Sequence, residues 1–145
     1  MTYATLANRR RSAQAYSNVG LETQVLSASP EHLITLLFDG ALSAIARARL
    51  FMQQGQIAER GQAISKAIDI VDSGLKASVD RQMGGEIAES LIHAYELTVH
   101  YLMQANLRSD EELLSRAENI LKDLASAWKE ACDPTADPTR LQVQT

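Results

Sequence analysis

The sequence predicts an all-α protein: an elongated antiparallel up-down four-helix bundle with a flexible N-terminal segment, which has room for a short helix, and a disordered C-terminal tail. Three observations carry this. Between Ser29 and Cys132 no stretch alternates polar and apolar residues over strand length, whereas apolar residues recur every three or four positions. Glycine and proline interrupt that pattern at a few points only, leaving segments of about 20–25 residues that would each be ~30–37 Å long as helices. The links are short, around Gly55, from Asp80 to Gly85 and from Asn106 to Arg108, and links of about two to eight residues favour antiparallel neighbours.

Residues 1–28 read as a flexible segment able to act as a lid, since nothing beyond a turn from Gln14 to Val19 has helical periodicity. Ser29 followed by Pro30 is an N-cap and first-turn proline, and apolar residues run from Leu33 to Met52 until Gly55 stops them, which defines the first helix. Ile57, Gly61, Ile64, Ile68, Val71, Leu75 and Val79 form the stripe of the second, broken at Gly84-Gly85. Ile87, Leu91, Tyr95, Thr98, Leu102 and Ala105 form that of the third. Ser109 with Glu112 reads as a capping box opening the fourth, whose stripe is Leu113, Ala117, Ile120, Leu124 and Trp128. Asp133-Pro134 ends it. The bundle thus spans 29–132, and 133–145, with Pro134, Pro138 and scattered polar residues, reads as a disordered tail.

The 145 residues are 46% hydrophobic and 22% charged, the composition of one globular domain that buries roughly 68–70% of its unfolded surface. The longest run free of charge, Leu97 to Leu107, is far short of the ~20 apolar residues of a membrane span, so no stable membrane insertion is expected. No apolar stretch follows Arg9, Arg10 and Arg11 as a secretory signal would require. The lone Cys132 allows no internal disulfide, which fits a reducing cytosol. The net charge of −4 argues against nucleic acid as a partner. Its distribution is uneven, with +2 over residues 1–28 and −5 over 86–130.

Catalytic chemistry is hard to find. A ferritin-like metal site needs Glu-x-x-His on two helices; the chain has none, and His93 and His100 stand two turns apart beside Glu89 and Glu96. Cys132 falls at a helix C-terminus, where the dipole raises a thiol pKa. Asp69 and Asp72 are an ordinary surface spacing, and Gly84-Gly85 lacks the Lys and Ser/Thr of a phosphate loop. The expectation is a protein that is no enzyme and uses no cofactor or metal.

Surplus apolar surface is the more informative feature. In helical projection, helices 2 and 4 carry one compact stripe each. Helix 1, beside Leu33, Leu37, Ala41, Ala44, Ala48 and Phe51, adds Ile34, Phe38, Leu42, Ile45 and Met52 and so spreads apolar residues over about 180°, where an amphipathic helix needs about 100°. Helix 3 has a flanking row of Ile92, Val99 and Met103. These rows either pack beneath residues 1–28, whose Leu6, Tyr16, Val19, Leu21, Val25 and Leu26 supply apolar cover, or form a docking surface for an amphipathic segment, and both can hold in turn. Helices 1 and 3 are diagonal in an up-down bundle, so a single ligand touching both rows must wrap.

Ala15-Tyr16-Ser17-Asn18-Val19, Ser29-Pro30-Glu31-His32-Leu33-Ile34-Thr35-Leu36-Leu37-Phe38-Asp39-Gly40-Ala41, Gln104-Ala105-Asn106 and Ala127-Trp128-Lys129-Glu130-Ala131 together resemble the FliS family of flagellin-specific secretion chaperones. The resemblance runs from about Ala15 to Ala131. Phe38, followed by Arg47-Ala48-Arg49-Leu50-Phe51-Met52, is similar to the enterobacterial-type branch. The residues before Ala15, with their Arg triplet, depart from the family pattern. The resemblance implies a non-enzymatic helical bundle in the cytosol that binds the disordered C-terminal segment of flagellin, prevents its premature polymerisation and assists its delivery to the flagellar type III export apparatus. Further candidate partners are the cytoplasmic domain of the export gate and an anti-sigma factor. The resemblance also makes Tyr16 part of an N-terminal motif that occupies some of the client groove in the free protein. The expected partner-binding residues are Tyr16, Val19, Ile34, Phe38, Leu42, Ile92, Val99 and Met103. The competing reading is a helical-bundle regulator that sequesters another flagellar protein such as an anti-sigma factor.

Overall fold

The structure, a computed structural model, describes residues 28–133. Its elements are α1 (Pro30–Gln53), α2 (Ile57–Asp69) continued by a π-helical turn (Ile70–Leu75) and a 3-10 turn (Lys76–Ser78), α3 (Arg81–Arg108) and α4 (Glu111–Cys132). The expected all-α bundle is what is found, with no strand among the described residues. The expected segments 1–28 and 133–145 lie almost wholly outside the described residues. Contacts divide the chain into a unit ending at Leu33 and a second beginning at Ile34. In the first, Ser29 caps α1 as its sequence predicts, accepting the His32 N–H at 3.2 Å on Oγ and the Leu33 N–H at 2.9 Å on its carbonyl.

In the second unit, specific pairs fix the direction of each helix. A side chain at Gly74 would touch Leu37 and one at Gly40 would touch Ile70, so α1 and α2 run antiparallel. Arg60 reaches Asn106 and Ser109 at the end of α3, while Lys76 meets Glu96 in its middle, 3.7 Å away. Gln53 bonds Glu111, Arg49 bonds Glu118 and Lys129 approaches Asp39, so α4 runs back along α1. The helices thus form a closed ring with α1 and α3 diagonal, and those two meet through the interior at Phe38 and Tyr95.

The core contains Phe38, Ala41, Ala44, Ile45 and Ala48 of α1, Ile64, Val71 and Leu75 of the second segment, Tyr95, Leu102 and Ala105 of α3, and Leu114, Ala117 and Leu121 of α4. This corrects the stripes read from sequence. Phe38 and Ile45, taken as surplus, are core, while Leu37 and Phe51 are half-buried. In α3, Ala88 and Ile92 are buried where Ile87 and Leu91 were expected, and in α4 Leu114 and Leu121 replace Leu113 and Ile120 as the innermost positions. In α1 the alanine row Ala41, Ala44 and Ala48 lies at the centre of the buried face, and Phe38 and Ile45 flank it at helical spacing.

The junctions differ in how legible they were. After α1, Gly55 has φ +70°, the Gln56 N–H reaches the Phe51 carbonyl and the Gly55 N–H reaches that of Met52, a Schellman motif that only glycine enters without strain. The break expected at Gly84-Gly85 falls earlier. The second segment stops at Ser78, Val79 is extended, and Asp80 caps α3 by accepting the N–H groups of Gln82 and Met83 at 3.1 and 3.2 Å. The glycine pair instead kinks α3 from within, Gly85 lying at φ 55°, ψ −128°. The expected Ser109 capping box is also one residue off. Ser109 closes α3 in the left-handed region, and Asp110 caps α4 by accepting the Glu112 N–H at 2.9 Å.

Candidate functional site

An apolar groove of about 540 Å³ opens at the end of the bundle where α3 begins and α4 ends. Its floor is the Phe38–Tyr95 pair, with ring centroids 6.4 Å apart and planes tilted by 45°. Both residues are well buried, Phe38 being 2% and Tyr95 4% exposed. Burial pushes the Tyr95 phenol up from 10.0 to about 12, so it remains a neutral hydroxyl throughout the physiological range. Ile34, Leu91, Leu124 and Trp128 form the walls, and Ser78, Val79 and Asp80 close one end.

Local sequence explains why the space is open. Ala88, Ala127 and Ala131 line it with side chains too short to fill it. Gly84 also lines it, and a β-carbon there would come within 2.7 Å of the Ala88 methyl, so the first turn of α3 approaches the helix body in a way only glycine allows. That turn carries Met83 to the rim, where it is 86% exposed, beside Ile87 at 72%. A shallower hollow of about 340 Å³ shares Ile87, Leu91 and Leu124 with the groove and extends it across α3 toward Glu86 and Ser90. The combination of an enclosed aromatic floor with exposed aliphatic rim residues can hold the apolar face of a peptide segment.

Of the residues expected from sequence, Ile34 and Phe38 come together in the groove. Leu42 lies one turn further along α1, half-buried against the core. Ile92 is buried, Val99 half-buried and Met103 exposed. Val99 and Met103 interleave at helical spacing with Glu96 and Asn106, whose contacts to Lys76 and Arg60 place that side of α3 toward α2, away from the groove's α4 wall. Tyr16 and Val19 lie outside the described residues. Helical periodicity places Tyr95, Leu91, Leu124 and Trp128 in core stripes and leaves Met83 without a distinct role. The signal for them was positional. The α3 stripe continues through Leu91 and Ile87 toward the glycine pair.

Polar clusters elsewhere are structural. Arg60, only 8% exposed, donates from Nε to the Asn106 side chain, from Nη1 to Ser109 Oγ and from Nη2 to the Asn106 carbonyl, tying the start of α2 to the end of α3. Arg49 donates to both Glu118 oxygens and to Ser115, which holds the Glu118 carboxyl below its ordinary value. His93, Glu96 and His100 are exposed on α3. Among the described residues no helix is long and apolar enough to cross a membrane.

Residues 12–135 match the family model described as flagellar protein FliS. The chain is 50% identical over 117 residues to the flagellar secretion chaperone FliS of Salmonella typhimurium, covering 81% of this chain and 87% of that protein. It is 43% identical over 121 residues to the flagellar secretion chaperone FliS of Escherichia coli (83% and 89%). The protein of the same name from Bacillus subtilis is 26% identical over 110 residues (76% and 80%).

Proposed function

The chain belongs to the FliS family of flagellar proteins, most similar in kind to its enterobacterial-type branch, and from that membership we propose that it is a flagellar export chaperone whose client is the C-terminal segment of flagellin. In this reading it works in the cytosol by binding and release, without catalytic residues or a cofactor. It shields the segment from premature polymerisation and carries it to the type III export apparatus.

The observation that supports the reading is the groove: an aromatic floor at Phe38 and Tyr95 with Met83 and Ile87 exposed above it. Large apolar side chains held out in solvent beside an apolar hollow are suited to a segment that folds as it docks. A long client leaving the groove then passes over Leu42, Val99 and Met103.

Titration calorimetry of the full chain with the C-terminal segment of flagellin, alongside circular dichroism of the mixture, tests this. The expected result is saturable binding with a markedly negative heat-capacity change and a net gain of helix, because apolar burial and ordering occur together. Absence of binding, or binding with a heat-capacity change near zero and no added helix, refutes it.

A further inference from the structure

The groove contains a polar group that the fold does not use. Tyr95 is held by the Phe38 ring on one side and lines the groove. Its hydroxyl makes no hydrogen bond to any described residue, yet among those residues no buried side-chain oxygen or nitrogen lacks a partner. The oxygen is therefore not sealed in the core but opens on the groove. The phenol stays protonated, since burial raises its pKa to about 12, and so it keeps a proton to donate.

A segment that fills the groove covers this hydroxyl. Capping it with hydrocarbon would leave a buried polar group unsatisfied, which is unfavourable. The interior of a regular helix is a poor remedy, because each of its carbonyls already accepts an intrahelical bond and its second lone pair is crowded by the neighbouring side chains; a polar side chain or one of the last carbonyls at a helix C-terminus is the better acceptor. We propose that Tyr95 is a specificity-determining residue, whose hydroxyl donates a hydrogen bond to a polar side chain or helix-terminal carbonyl of the docked client. The groove then selects an apolar segment interrupted by one acceptor over a uniformly apolar one. This rests on the client-binding reading above.

The test is Tyr95→Phe in the full chain, with the C-terminal segment of flagellin as probe and a denaturant melt of the free protein in parallel. The change deletes one oxygen and keeps the ring against Phe38. The expected result is binding about 3- to 10-fold weaker, the usual worth of one hydrogen bond, with an unchanged unfolding midpoint. Equal or tighter binding overturns the proposal, because it means the hydroxyl is merely covered. A lowered midpoint also overturns it, by giving the hydroxyl a role in the fold. If the unaltered protein fails to bind the segment, the client-binding reading falls and this inference falls with it, an outcome distinct from a wild type that binds and a variant that binds as well.

Discussion

Phe38→Ala, set beside variants of the groove rim, separates what holds the bundle together from what the proposed client would touch, because the ring is both core and groove lining while the rim residues are exposed. It is 2% exposed, sits between α1 and α3 against Tyr95, and lines the groove. Truncating an enclosed phenylalanine costs about 3–5 kcal/mol through lost transfer energy and the cavity left behind. Here one side of the new void merges with a groove that already measures about 540 Å³, so solvent fills part of it and the lower end, about 3 kcal/mol, is expected. For a domain of this size that is a fall in melting temperature of roughly 10–15 °C. Met83→Ala and Ile87→Ala remove side chains that are 86% and 72% exposed, and each should leave the unfolding midpoint within about 0.5 kcal/mol while weakening the flagellin segment by about 1 kcal/mol or more. Denaturant melts without client and calorimetric titrations with it measure the two quantities independently. The reasoning is refuted if Phe38→Ala melts with the wild type, or if the rim variants destabilise the free protein as much as Phe38→Ala does.

Gly85→Ala forces an L side chain into φ 55°, ψ −128° and should cost about 1–3 kcal/mol in a denaturant melt. The Arg49 hydrogen bond holds Glu118 below its ordinary 4.5, with burial opposing. Its stabilisation is therefore complete above the unfolded-state value and lost as pH falls through the lower folded value, so Glu118→Gln should flatten the acid limb of a stability profile below about pH 4.5. Arg60→Lys keeps the charge but not the three-point fork onto Asn106 and Ser109, so chemical denaturation should show a loss of about 1–3 kcal/mol instead of the rescue expected for a simple charge.

The helices themselves were legible because their signals are local. Ser29-Pro30 and Gly55 act within a single turn of chain, and both ends of α1 fall where the sequence puts them. The two misplaced junctions involve competition between neighbours that each suit the same task. Ser109 and Asp110 can both cap a helix, and Asp110 prevails because Ser109 is taken up in closing α3 and in bonding Arg60 at 2.6 Å. Gly84-Gly85 reads as a stop, but Asp80 offers a carboxylate to two N–H groups and nucleates a turn before the glycines are reached. The π-helical turn at Ile70–Leu75 has no local signal. Its Gly74 packs where a β-carbon would stand 3.0 Å from Leu37, a requirement imposed by α1 from another part of the chain.

The groove was only half legible for a different physical reason. Periodicity identifies which side of a helix faces its neighbours but not where along its length the neighbours stop supplying bulk. Tyr95, Leu91 and Ile87 lie near one line on α3, yet exposure rises from 4% at Tyr95 to 72% at Ile87. Across that length α4 presents Ala127 and Ala131 beside Leu124 and Trp128, and α3 itself presents Gly84 and Ala88, so the space between the large walls stays unfilled. An apolar stripe faced by small residues over part of its length is buried at one end and open at the other. The same argument accounts for Phe38, which projection assigned to surplus surface and the core claims. It stands at the boundary between the two regimes, so its inner side packs against Tyr95 while its outer side forms the groove floor. Core and candidate docking surface are thus successive stretches of one stripe, divided where small side chains such as Ala88, Ala127 and Ala131 interrupt the facing surface.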